Sequence, residues 1–191
     1  MARPRSTAPS RRLPTSSPTE LWDEIAGAAA EDSRLWAEAL LPLAERETEP
    51  VFSPLADGRF ALGLETIYEG YLVHYGRPRL FAPPDRDTAL LLGDYLYARG
   101  LAHVAAHGET AAVLDLAQLI SLCAQLRGDG AAGDGEAWAA TAALLGRDSL
   151  DEARAALRDR LEPGALGALA REAAGAGAVD RALVAHARLL G

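Results

Sequence analysis

Two carboxylates, Glu65 and Glu69, stand four residues apart in a segment with helical periodicity. Residues so spaced share one face of a helix, and their oxygens can reach a common cation. Magnesium suits such a pair, because it needs only one or two protein carboxylates when a phosphate group supplies further oxygens. His74 and Arg77 follow within twelve residues of Glu65, and Asp94 lies further on, in an apolar run. Together these five residues are the candidates for binding an anionic substrate and its metal ion. Unpaired burial of Asp94 among Leu90, Leu91, Leu92 and Leu101 would be costly, so a partner is expected from Arg99, His103 or a tyrosine hydroxyl.

Other constellations carry less chemistry. His103 and His107 have the i, i+4 spacing of a zinc pair, but the glutamate of H-E-x-x-H is missing and no third ligand is evident. Gly128 to Gly135 lacks the spaced acids of a calcium loop and the Gly-Lys-Ser/Thr of a phosphate loop. Cys123 has no base near it in sequence and reads as a core residue. Tyr68, Tyr71, Tyr75, Tyr95 and Tyr97 cluster within thirty residues, as expected of a helix interface or a cavity rim. No Ser-His-Asp arrangement or dinucleotide fingerprint occurs.

The run from Glu65 to Ala98 resembles the trans-isoprenyl diphosphate synthase (polyprenyl synthetase) family. Glu65-Thr66-Ile67-Tyr68-Glu69 falls where that family has its D-D-x-x-D motif. His74-Tyr75-Gly76-Arg77-Pro78 falls on R-R-G-x-P, and Gly93-Asp94 on the later G-D pair, with no gap between them. Ala137 to Leu145 looks like the family's K-T-A segment, with Ala140 in place of its lysine. The departures are specific. The metal-binding aspartates are Glu65, Thr66 and Glu69, and the diphosphate-holding arginine pair is His74 and Tyr75. No Asp-Asp pair occurs in the chain, so the second acidic motif is absent. The resemblance therefore implies a shortened, degenerate member with an all-α isoprenoid-synthase-like bundle, similar to the non-catalytic subunits of heterodimeric synthases.

The elements that must position these residues read as helices throughout. Ser17-Pro18-Thr19-Glu20 opens one that carries Leu21, Trp22 and Ile25. A second is expected over 33–47, kinked at Pro42. After a connection over 48–57 the 3.6-residue period returns from Gly58 through Tyr75. Arg77 to Pro84 is a rigid loop with three prolines. The next helix starts at Asp85 or Asp87 and stops at Gly108; as the most apolar of the chain, it is expected at the centre. Further helices are expected over Thr110–Arg127, Glu136–Leu145, Ser149–Leu161 (with a Ser149/Glu152 capping box), Pro163–Ala174 and Val179–Leu190. No strand pattern appears, which makes the chain an all-α bundle.

Composition agrees. Of 191 residues 49% are apolar and only 6% aromatic, and the dominance of Ala and Leu favours helix. A single cysteine excludes an internal disulfide and suits a reducing compartment. All 19 basic residues are arginine, as in a chain from a high-GC genome. Residues 1–16 are rich in Pro, Ser, Thr and Arg and are expected to form a disordered basic tail ahead of one domain over 17–191. Net charge is −8, and an acidic body argues against nucleic-acid binding. No apolar run approaches the ~20 residues of a membrane span, so a cytoplasmic location is expected.

Three functional readings follow. The first is a non-catalytic partner or regulatory subunit of a prenyl diphosphate synthase, or a homodimer on the same plan. It would dock through the helices bearing Glu65 to Tyr75 and Leu90 to Val104. The second is an enzyme or binder of isoprenoid diphosphates that uses Glu65, Glu69 and magnesium. The third is a helical interaction scaffold without a ligand. A packed interior with no elongated cavity between the two central helices would favour the third.

Overall fold

Four glycines bring two helices into backbone contact. Gly63 and Gly70 lie on α3 (Ala61–Tyr75), and Gly93 and Gly100 on α4 (Arg86–Ala105). The pairing is antiparallel, with Gly63 opposite Gly100 and Gly70 opposite Gly93. A Cβ on Gly100 would lie 2.8 Å from the Gly63 carbonyl oxygen, and one on Gly70 would lie 2.9 Å from that of Gly93. Each glycine costs about 1 kcal/mol of helix propensity relative to alanine. The contact they permit sets the axis of the fold.

The structure, a computed structural model, describes residues 18–147 and 149–191. The expected N-terminal tail and the capping role of Ser17 lie outside the described residues. The remaining helices are α1 (Pro18–Asp32), α2 (Arg34–Glu38), α5 (Thr110–Gly128), α6 (Asp134–Ala143), α7 (Asp151–Arg160), α8 (Gly164–Ala174) and α9 (Ala176–Leu190). Among the described residues there is no strand; a single isolated bridge joins Leu40 and Phe81. The chain is all-α, as its composition predicts.

The center is α3, not α4. Eleven consecutive residues, Gly63 to Val73, are buried. Between Ala61 and Tyr75 only Glu65, Glu69 and His74 carry ionisable groups besides the tyrosines, so almost every face of the helix is apolar. Such a helix belongs in a core. The larger core joins α3 to α5, α6, α8 and α9 through residues such as Leu64, Tyr68, Leu119, Trp138 and Leu166. A smaller one gathers Trp22, Ile25, Trp36, Val73, Leu80 and Leu92 on the side of α1, α2 and α4. By contrast α4 keeps a solvent face, with Leu90 and Leu91 about half exposed.

Two local expectations change. The helix expected over 33–47 ends at Glu38, leaving five residues capped by Ser33. Proline lacks an N–H and crowds the carbonyl four residues back, so Pro42 ends the helix instead of kinking it. The freed backbone pairs elsewhere: the Leu41 N–H donates to Leu80 O at 2.9 Å and the Ala82 N–H to Ala39 O at 2.7 Å. No capping box forms at α7, where Leu150 takes the N-cap position without a side-chain hydrogen bond. Asp85 does cap α4, accepting the Thr88 N–H at 2.7 Å.

Candidate functional site

Glu65 and Glu69 do share one helix face, and that face looks inward. Their exposures are 1% and 0%. What lies between them is Arg79, itself 1% exposed. Glu65 Oε2 accepts from Arg79 Nη1 at 2.8 Å, and Glu69 Oε2 accepts from Nε at 3.0 Å. The other two oxygens are also engaged. Glu65 Oε1 accepts the backbone N–H groups of Val51 and Ser53, both at 3.1 Å. Glu69 Oε1 accepts those of Arg79 and Leu80, both at 2.8 Å. All four carboxylate oxygens therefore have N–H donors.

The guanidinium is also held from its faces. Its central carbon lies 4.5 Å from the ring centroid of Trp22 and 5.0 Å from that of Tyr68. Cations are attracted to aromatic faces, more strongly once desolvated. Burial alone would lower the pKa of Arg79, but the charges of Glu65 and Glu69 outweigh it and raise the pKa. This center ties α3 to the loop after it and to the 51–53 turn. A metal ion between the two glutamates would have to displace Arg79 from a closed position.

The other candidates do not join it. Arg77 is at the surface, where its Nη1 donates to Glu47. Asp94 is exposed rather than buried among leucines, because α4 turns that face outward. Its partner is none of the three expected; His74 Nε2 approaches its Oδ1 at 3.3 Å, and Arg99 pairs with Asp32. Burial lowers the pKa of His74 more than Asp94 raises it, so the imidazole is neutral at pH 7. His107 packs edge-on against Phe60. Among the described residues no three His, Cys, Asp or Glu side chains are grouped to share a metal ion. Cys123 is buried, and burial pushes its thiol pKa up, as a core role requires.

A second buried network is built around Asp134, within the Gly128 to Gly135 segment that carried no ligand motif. Asp134 opens α6 and is 8% exposed. Its Oδ2 accepts from the Tyr71 hydroxyl and from Arg127 Nη2. Arg127 Nε donates to the same hydroxyl at 2.8 Å. His186 Nε2 stands 3.4 Å from Oδ2, an electrostatic contact at the long end of hydrogen-bond range. On its other side, His186 Nδ1 shares a hydrogen bond with the Tyr68 hydroxyl at 2.8 Å. Burial alone would raise the pKa of Asp134. The His186 contact, the Tyr71 hydrogen bond and the Arg127 charge outweigh that and hold it well below the usual carboxylate range.

A third center, Arg154 with Asp115, joins α7 to α5. Arg154 Nη1 donates to Asp115 Oδ1 at 2.8 Å, and both residues are buried. None of Arg79, Arg127, Asp134, Arg154 or His186 belongs to the chemistry read from the sequence. One signal was available for the first: two acids on a helix that is otherwise apolar all round must be buried, and buried acids need a cation.

Comparison with protein-family models, with curated proteins and with solved structures finds no match for this chain.

Proposed function

We propose that this chain is a non-catalytic helical protein that acts by binding a protein partner. By its resemblance in motif spacing, the partner is a prenyl diphosphate synthase subunit. The observation that carries this reading is Arg79. It takes the place between Glu65 and Glu69 that a magnesium-bridged diphosphate would need, and its single charge, with four backbone N–H groups, serves both carboxylates from within.

The packing of α3 against α4 supports the non-catalytic part of this reading, and favours a scaffold acting through protein contacts over a binder of isoprenoid diphosphates. With Gly63 and Gly100 in backbone contact, the space between the two helices cannot accept a prenyl tail. The docking face is narrower than the sequence implied, because α3 is enclosed by the rest of the chain. What remains is the outer side of α4, which presents Leu90 and Leu91 at 47% and 58% exposure. Neither residue supports the fold from within.

The experiment is light scattering after size exclusion, with the chain alone and mixed with a prenyl diphosphate synthase from the same source. The expected result is a complex that Leu91→Glu abolishes while leaving the melting temperature unchanged. Turnover of farnesyl and isopentenyl diphosphates by the chain alone with magnesium, or calorimetric binding of farnesyl diphosphate that requires magnesium, would overturn the proposal.

A further inference from the structure

Among the described residues the apolar interior falls into two parts that share no member. In the smaller part Trp22, Ile25 and Trp36, from α1 and α2, gather with Val73 of α3 and with Leu92 and Leu96 of α4. Arg79 lies at the border. Its guanidinium carbon is 4.5 Å from the Trp22 ring on the smaller side and 5.0 Å from the Tyr68 ring on the larger. Cooperative opening follows such divisions, because a segment can leave without breaking contacts that it does not share.

The attachments of α1 and α2 to the rest of the chain fit a segment of this kind. At the end of α1, Asp32 Oδ2 accepts from the Tyr95 hydroxyl and from Arg99 Nη1, both at 2.7 Å, and the Asp32 side chain is 45% exposed. Bonds to so exposed a carboxylate contribute little, since water replaces them readily. After α2, backbone hydrogen bonds join Ala39 and Leu41 to Ala82 and Leu80. The chain is next tied to the body at Glu47, whose N–H donates to Arg79 O at 3.1 Å. Between these ties, Pro42 and the exposed Leu43 offer a hinge. The closed state also holds an unpaired donor: Arg79 Nη2 is buried and has no acceptor within the protein. Withdrawal of Trp22 lets water reach the guanidinium, which lowers the free energy of opening.

We infer that α1 and α2 form a latch, which opens as one unit about residues 42–46 while the larger core stays closed, and which controls the docking face of α4. The second half rests on the reading above, in which that face binds a protein. Leu91 and Tyr95 are neighbours one turn apart on α4. Tyr95 lies under the latch, its ring 5.6 Å from that of Trp36. With the latch closed, the face ends at Leu90 and Leu91. With it open, the face continues across Tyr95 to Leu92 and Leu96, which are fully buried in the closed state. The occupant that fits is an amphipathic helix of the partner, because the strip already holds one: α1, with Trp22, Ile25 and Ala29 at helical spacing. The latch thus occupies in cis the place that the partner takes.

The test is amide hydrogen exchange of the full chain, compared with Trp22→Ala and Asp32→Asn. In the unmodified protein the amides of 22–32, Ala37, Ala39, Leu41 and Ala82 should share one opening, at least about tenfold more frequent than that of 116–126 and 137–143. Trp22→Ala should raise exchange in the first set about a hundredfold and leave the second unchanged. Asp32→Asn should raise it about threefold, again without effect on α5 and α6. Equal protection in both sets, or loss of protection in α5 and α6 on Trp22→Ala, would show that the latch unfolds only with the whole chain and would overturn the inference. These readouts need no partner. With a prenyl diphosphate synthase added, Trp22→Ala should bind at least about tenfold tighter than the unmodified chain, since more of it is already open. Equal or weaker binding would overturn the control of docking. No complex with either protein, beside an intact exchange pattern, would overturn the reading above and leave the latch standing.

Discussion

Glu69 holds Arg79 twice. Its Oε1 accepts the arginine's backbone N–H at 2.8 Å, and its Oε2 accepts the side-chain Nε–H at 3.0 Å. One carboxylate thus fixes both the path of the loop after α3 and the direction of the side chain leaving it. Glu65, one turn earlier, completes the cage at Nη1. The motif that looks most like a metal site has become part of the chain's own scaffold.

Removing Arg79 should therefore be severe. Arg79→Met leaves two buried carboxylates without a counter-charge, and breaking a buried pair from one side costs about 3–5 kcal/mol. Urea denaturation should show that loss. Arg79→Lys should recover only part of it, since an ammonium cannot serve Glu65 and Glu69 in fork geometry. The triple variant Glu65→Gln, Glu69→Gln, Arg79→Met should be more stable than Arg79→Met alone, because the unpaired charges are gone. Equal stability of Arg79→Met and the unmodified protein would show that the cage contributes nothing.

The glycine contact makes an equally direct prediction. Gly100→Ala places a methyl group 2.4 Å from Ile67 Cγ1 and 2.8 Å from the Gly63 carbonyl. Overpacking of this kind costs about 1–3 kcal/mol, beyond the gain of about 1 kcal/mol in helix propensity. The control is Gly27→Ala in α1, where nothing lies within 4 Å of the new Cβ. That change should stabilise the protein by about 0.5–1 kcal/mol. Thermal melts of the two variants should move in opposite directions.

Much of the helix plan was legible because Ala, Leu and Pro act locally. Asp85 caps α4 and Gly108 follows its end with a φ of 77°. Pro42 was legible as a disturbance but not as a full stop, since its effect depended on the 80–82 segment, whose backbone takes up the groups it frees. Asp134 was missed because a Gly-Asp-Gly triplet has turn composition, whereas its carboxylate is drawn inward by Tyr71 and Arg127. Asp94 was misplaced because its apolar neighbours in sequence do not surround it; a helix with one solvent face can carry Leu90, Leu91 and an exposed acid together. Arg79 lies one residue beyond the motif that drew attention, and its role depends on two glutamates ten and fourteen residues earlier. Such side-chain pairings leave no periodic trace.

His74 provides a test of burial against charge. Its pKa lies below the ordinary value of about 6.5, since burial outweighs the raising effect of Asp94. Asp94→Asn should lower it further, which NMR titration of the ring protons would register. Asp94 is largely exposed, so the same change should leave stability within about 0.5 kcal/mol. The sign for the protein follows from linkage. The unfolded chain binds a proton at this ring more readily than the folded one, so His74 disfavours folding as pH falls below about 6.5. A rise in the His74 pKa on Asp94→Asn would contradict this account.

Asp134 should shape the acid limb of stability. Its folded pKa is depressed, while the unfolded value is the ordinary one of about 3.9. The folded state therefore holds its charge where the unfolded state begins to take up protons. The stabilisation is fully present above the unfolded pKa and is lost as pH falls toward the folded one. Asp134→Asn should cost about 3 kcal/mol at pH 7, since Arg127 and His186 lose their anion and Tyr71 its charged acceptor. That deficit should shrink as the pH is lowered below about 4, where the unmodified protein loses the same contribution by protonation. Urea midpoints measured from pH 7 to pH 2.5 for both proteins decide it. Convergence of the two curves in acid places the stabilisation in the Asp134 charge, and a constant gap between them assigns it to packing instead.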